Sequence, residues 1–416
     1  MNRSLGAQMR HEWRSNVWMV VELMIVFTVV WGIMMLVTDT VRTLLEPKGF
    51  DETDVYTVNI SYIGSDSPEY VDMGEATEEN NFRDQMELIR RVRSNSNVEA
   101  AAFSNNAVPF YFSYWGNGFR VTGTPDSVGY NGNWREASPE IARVLRLEST
   151  TGQSVGELER RMRRGEVLVS PYGNMEATGL TEEMLRGAQL TNDSVTYYKV
   201  GDLVNNMKRS EYENNSWGGM FLKPIDETAQ SGNRFESIIM RMKPGMGMKF
   251  AEDLRRDPSL RQQRNVVLSN FSSLEARRDV AQRNKASELR AQIGVMALFL
   301  VTVFLGLLGS FWYRVQQRQG EIAMRKVCGA DRWTVFRRLM GEGSLLLLAG
   351  GVLALALGAV LLFWKPGMEF IGSDWTSAGV GCGVTAVVME LMIVAGVYFP
   401  ARRAMAVEPA EALKDE

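Results

Sequence analysis

Chemistry in this chain is limited first by what it lacks. Among 416 residues there is one histidine, His11, and two cysteines, Cys328 and Cys382. A Ser-His-Asp triad or a Cys-His dyad would have to be built on a histidine at the N-terminal edge. Multi-histidine and four-cysteine zinc centres need more ligands than the chain owns. Two thiols make no disulfide framework. Carboxylate pairs of the glycosidase kind lie within the composition, but no motif frames one. The phosphate-cradling pattern G-x-x-x-x-G-K-[ST] occurs nowhere in the chain. We therefore expect no catalytic residue, no bound metal and no cofactor on this chain.

Stepping from residues to elements, apolar side chains are concentrated in four stretches. These are Val17–Val37, Ile293–Tyr313, Ser344–Phe363 and Ala378–Phe399. Each is about 20 residues long, which is what an α-helix needs to cross ~30 Å of hydrocarbon. The first and fourth each contain one acid, Glu22 and Glu390. The first is longer than a signal-peptide core, and Thr38-Asp39-Thr40 offers no small-x-small cleavage site, so we expect an uncleaved anchor. Arg3, Arg10 and Arg14 precede the first stretch, seven Arg and Lys residues from Arg314 to Arg338 fill the second connection, and Arg402 and Arg403 follow the fourth. The positive-inside rule then puts residues 1–16, 314–343 and 400–416 in the cytoplasm, and 38–292 and the short loop 364–377 outside.

The fold class expected is an α-helical membrane protein with four spans and a large extracytoplasmic mixed α/β domain between spans one and two. Within residues 38–271, Asp54–Ile60 alternates as a strand does, and Gly118–Thr122, Glu166–Ser170, Val195–Val200 and Phe235–Met242 are strand-like. Phe82, Met86 and Ile89, with Leu88 or Val92, share a helical face. Residues 272–292 lack Gly and Pro and read as a stalk helix running into span two. The aromatic run Phe110 to Trp115, with Trp134 and nearby asparagines, reads as strand packing, with a sugar- or peptide-binding surface as the alternative. Arg160, Arg161, Arg163 and Arg164 beside Glu157 and Glu159 read as a solvated helix face, with an anion site as the alternative.

The cytoplasmic segment 314–343 reads as a helical hairpin, reversing at Gly329 and restarting at Asp331. Trp333, Phe336, Leu339 and Met340 form an apolar stripe flanked by Arg332, Arg337 and Arg338, suited to a membrane surface or a partner's groove. In span three Gly350, Ala354 and Gly358 recur every four residues, as do Gly306 and Ser310 in span two and Gly379 and Gly383 in span four. Such small faces permit close helix contacts, within one chain or between copies. Glu390 is placed near mid-bilayer facing protein, and Glu22 close enough to the cytoplasmic interface to pair with a basic group.

Glu321-Ile322-Ala323-Met324-Arg325-Lys326-Val327-Cys328-Gly329-Ala330, followed by Glu342 and Gly350-Gly351, resembles the E-I-x-x-R-x-x-G-A signature of FtsX/MacB-type ABC transporter permeases. Pro400-Ala401-Arg402-Arg403-Ala404 and Glu408-Pro409-Ala410-Glu411-Ala412-Leu413 are similar to that family's closing pattern. Ser138-Pro139-Glu140 through Gly152 and Val167–Ser170 resemble a diverged MacB periplasmic core domain. The resemblance implies a half-transporter in the bacterial inner membrane, with both termini cytoplasmic. It implies pairing with a second permease copy or homologue, and a cytoplasmic ABC ATPase dimer, which holds ATP and Mg, bound at the hairpin.

The coupling residues it implies are Glu321, Arg325, Gly329, Ala330, Arg332, Trp333, Phe336 and Glu342. Without a nucleotide motif here, the ATPase is expected to be a separate polypeptide. The function implied is mechanotransmission, serving export of a peptide or antibiotic, extraction of a lipid or lipoprotein, or activation of a hydrolase. Periplasmic or outer-membrane partners fall within the same resemblance, and nucleic acid does not. A membrane sensor with an external ligand-binding domain is the alternative.

Overall fold

The computed structural model describes residues 13–74, 77–110, 115–125, 128–172, 175, 179–208, 210–212, 218–227, 234–317, 320, 324, 331–364 and 375–406. It divides into two compact units, one of residues 1–44 and 287–416 and the other of residues 45–286.

In the second unit the described residues form an eleven-stranded sheet. Its strands are β1 (Val55–Tyr62), β2 (Val98–Asn105), β3 (Gly116–Val121), β4 (Gly129–Ala137), β5 (Val167–Val169), β6 (Gln189–Thr191), β7 (Tyr198–Leu203), β8 (Gly219–Pro224), β9 (Ser237–Met242), β10 (Gln262–Gln263) and β11 (Val266–Ser273). The order is β10-β11-β1-β9-β2-β4-β3-β6-β7-β5-β8, and β4 also pairs with β8 in parallel. That extra pairing closes the last six strands into a small barrel, leaving β10, β11, β1, β9 and β2 as an open antiparallel sheet. Among the described strands the two halves pair where β2 meets β4, at Ser104–Ala137 and Asn105–Glu136.

The open sheet is covered on both faces, which explains why every residue of β9 is buried. Successive residues alternate between two cores. Ile238, Met240, Ala101 and Phe103 face one that includes Leu88, Ile89 and Val92 of α1 (Thr77–Ser94). Ile239, Ala100 and Ala102 face the other, with Ile141 and Leu145 of α2 (Ile141–Leu145) and Leu158 of α3 (Val155–Arg163). Leu88 and Val92 are thus both buried, since the α1 face is wider than one stripe. The barrel is filled by Phe119, Tyr130, Val167, Val169, Leu190, Val200 and Phe221. The Arg241 side chain, fully buried, donates to the carbonyls of Val144, Asp51 and Thr53 and pins the segment that leads into β1.

In the first unit the long helices are Trp13–Leu45, Arg332–Trp364, Trp375–Ala406 and the later part of Leu274–Gln317. All four are long and apolar enough to cross a membrane. Met19, Leu23, Phe27, Trp31 and Met35 recur every four residues on the first helix and form one buried stripe. The third helix meets that stripe with small residues. A Cβ on Gly350 would lie 3.1 Å from Leu23 Cβ, and one on Gly358 would run into the Trp31 ring. Ala354, between them, is fully buried. The Trp31 indole N–H donates to the Ala378 carbonyl at 3.0 Å, so the ring is fixed where it fills the Gly358 notch.

The small face of span three is therefore accounted for inside one chain. In span four the packed glycine is Gly381, whose Cβ would sit 3.0 Å from Met35 Cγ, whereas Gly379, Gly383 and Gly306 have nothing within 4 Å. Helical spacing alone did not distinguish these, because which face of a helix is inward depends on its neighbours. A second difference is continuity. Arg332–Trp364 is one helix, so the second arm of the expected hairpin and span three are a single rod.

Candidate functional site

Of the residues matching the signature, Glu321, Arg325, Gly329 and Ala330 lie outside the described residues, as does the reversal at Gly329. Arg332 is the first residue of the third long helix. Trp333 is 61% exposed, and its ring stacks on Phe336 at 5.3 Å. Phe336 meets Tyr398 edge-on at 6.3 Å. Phe336, Leu339 and Met340 all pack against the helical core, so the apolar stripe is divided. Its later residues belong to the bundle, and Trp333 remains as the outward aromatic.

Glu342 is also inside, 7% exposed, with Arg338 Nε 3.6 Å away one turn earlier. A helix that continues into the membrane turns its apolar stripe toward the neighbouring helices rather than toward solvent.

The two intramembrane acids are paired alike. Ser310 Oγ donates to Glu22 Oε1 at 2.9 Å, and Ser344 Oγ donates to Glu390 Oε1 at 2.6 Å. Glu22 thus ties the first long helix to the second, and Glu390 the fourth to the third, with a serine where a basic partner was expected for Glu22. The Ser344–Glu390 contact sets the register of the third and fourth long helices. Gly343 against Ile393, where a Cβ would be 2.8 Å from Cγ2, gives the same register. The serines carried a signal that was readable as smallness only.

In the external domain, the arginines of α3 are occupied. Arg160 and Arg161 pair with Glu157, and Arg163 pairs with Glu159 and Glu140. Glu140 also meets Arg93 of α1, which binds Glu227 through two bonds of 2.7 and 2.9 Å. The pairs of Arg160, Arg161 and Arg163 make an ion-pair network joining α1, the start of α2 and α3. Where described, the aromatic run is divided, with Phe110 and Trp134 packed and Trp115 51% exposed. Phe110 is buried edge-on to Phe50, and Trp134 stacks on Phe221 and Phe119. Asn106 donates to the Trp134 carbonyl, and Asn133 accepts from the Trp115 N–H. Tyr111, Phe112, Ser113 and Tyr114 lie outside the described residues. No group of three or more His, Cys, Asp or Glu able to hold a metal occurs among the described residues.

Burial pushes the Glu227 carboxyl up, but hydrogen bonds from Arg93 and Ser138 and the charges of Arg93 and Arg163 outweigh it. The net shift is downward from 4.5. A carboxyl held low in the folded chain contributes stability that is complete above its unfolded value and lost as pH falls through the lower folded value. Glu227→Gln should therefore lower the thermal midpoint of the external domain at pH 7, and the gap from wild type should close as pH drops below about 4.5. A gap independent of pH, in thermal unfolding of the full chain, would contradict the ion-pair role.

Residues 293–409 match the family model described as FtsX-like permease C-terminal. The macrolide export ATP-binding/permease protein MacB of Nitrosomonas europaea is 28% identical over 155 residues, 34% of this chain and 22% of that protein. The pyoverdine export ATP-binding/permease protein PvdT of Pseudomonas syringae pv. tomato is 30% identical over 141 residues, 33% of this chain and 20% of that protein. An uncharacterized ABC transporter permease of Methanocaldococcus jannaschii is 28% identical over 130 residues, 30% of this chain and 32% of that protein. This chain thus spans about a fifth to a third of the length of these relatives. Among solved structures, the extracellular domain of the noncanonic ABC-type transporter YknZ from Gram-positive bacteria aligns with TM-score 0.32 and 10% identity, covering 51% of this chain and 100% of that one. With four helices long and apolar enough to cross a membrane, a large α/β domain between the first two, and residues 293–409 matching the FtsX-like permease C-terminal region, this chain is similar to ABC transporter permeases of the FtsX/MacB type.

Proposed function

We propose that this chain is the permease subunit of an ABC transporter that carries ATP hydrolysis, performed by a separate ATPase dimer holding ATP and Mg, to its external domain. One observation carries the reading. The helix Leu274–Gln317 is unbroken, its first residue Leu274 is fully buried in a core of the external domain, and its last turns hold the buried Leu307, Phe311 and Val315 of the membrane unit. In this reading the continuous helix of 44 residues is the element that carries displacement.

In this reading the chain sits in the bacterial inner membrane with both termini and residues 314–343 in the cytoplasm, following the arginine distribution. It works beside a second permease copy or homologue. The relatives' printed names favour export of a small secreted or antibiotic-like compound.

The ATPase docks on the segment that ends at Trp333. Trp333→Ala should reduce co-purification of the ATPase several-fold while leaving thermal stability nearly unchanged, because this side chain is mostly exposed. Phe336→Ala should instead destabilise the bundle. Undiminished co-purification of the ATPase with Trp333→Ala would remove Trp333 from the interface.

A further inference from the structure

We propose that a groove along the third and fourth long helices binds a single-chain amphiphile with a cationic head, an alkylammonium. The inference goes beyond the permease reading and does not rest on it. The groove has a volume of about 520 Å³. Its walls are apolar, with Leu347, Val352 and Leu355 on one helix and Val387 and Leu391 on the other, and Gly351 and Phe27 line it as well. From Ser344 to Leu355 it runs about three helical turns, ~16 Å, roughly the extended length of a dodecyl chain.

Its ends differ chemically. Glu390 stands at one and Cys382 two turns away at the other. Ser344 donates to Glu390 Oε1, and among the described residues that line the groove there is no lysine or arginine. An acid at the end of an apolar slot complements a cation at the end of an alkyl chain. A fatty carboxylate would set like charge against Glu390. A phospholipid would add a second chain and a phosphate.

Cys382 supplies a native reporter. In the full chain in non-ionic detergent, alkylation of Cys382 by a membrane-permeant maleimide is followed on its peptide by mass spectrometry. Dodecyltrimethylammonium below its micellar concentration should slow that reaction several-fold, and dodecanoate should not. Glu390→Gln keeps an acceptor for Ser344 and should lose the ammonium effect. Val387→Trp, which fills the slot from an exposed position, should slow alkylation without any amphiphile and leave the ammonium nothing further to protect. Equal slowing by dodecanol in the wild type, or protection undiminished in Glu390→Gln, would show that the chain alone is bound and overturn the proposal. Absence of protection by the ammonium compound would overturn it as well.

Discussion

Gly358→Leu should prevent the four-helix unit from assembling, while Gly306→Leu should be nearly silent. At 358 the position a side chain would take is occupied by the Trp31 ring, which is held from behind by its hydrogen bond to the Ala378 carbonyl. The ring cannot swing away without leaving its own indole N–H unbonded in an apolar surrounding, a loss on the order of 1–3 kcal/mol, and without vacating the core it fills. Displacing a large aromatic from a packed core costs about 3–5 kcal/mol in soluble proteins. In a bilayer, close contact is itself the main source of helix association.

At 306 nothing lies within 4 Å, and Leu adds one more apolar group to an outward face. The measurement is the yield of monodisperse chain in detergent and its thermal midpoint. Gly358→Leu should be largely aggregated and Gly306→Leu close to wild type. Comparable behaviour of the two variants would mean that the stripe of Met19 to Met35 does not pack on the third helix.

Four spans were readable because twenty apolar residues in a row have one physical use, and the external α/β character because β1 and β9 alternate or run apolar. The topology inside that domain was not readable. β2 begins Val98-Glu99-Ala100-Ala101-Ala102, whose alanines favour helix, and it is a strand because β9 and β4 pair with it on either side. Val195–Val200 looked like a strand, yet Val195 and Tyr197 are exposed in a turn that Asp193 holds by accepting the N–H groups of Val195 and Thr196. The strand starts only at Tyr198. Barrel closure rests on the parallel β4–β8 pairing, a contact between segments 87 residues apart that local pattern does not carry.

At the candidate site the residue types were legible and their directions were not. Phe336 and Met340 read as a contact face because they follow a basic loop, and they pack on the helical core because their helix is the start of a span. The serine partners of Glu22 and Glu390 could be found from sequence only by asking what else a buried acid would accept a hydrogen bond from.

In the mechanism we propose, nucleotide hydrolysis by the partner ATPase moves the external domain through the helix Leu274–Gln317. A flexible Gly-Ser insertion after Ser287 breaks that rod while leaving the cores on both sides intact. The direct measurement is hydrogen exchange across residues 45–286 in the reconstituted permease and ATPase complex, with and without vanadate-trapped ATP. In the wild type, trapping should change protection in the external domain. In the insertion variant the ATPase should still bind, and that change should vanish. External-domain exchange that ignores nucleotide in the wild type, or a response that survives the insertion undiminished, would contradict the account.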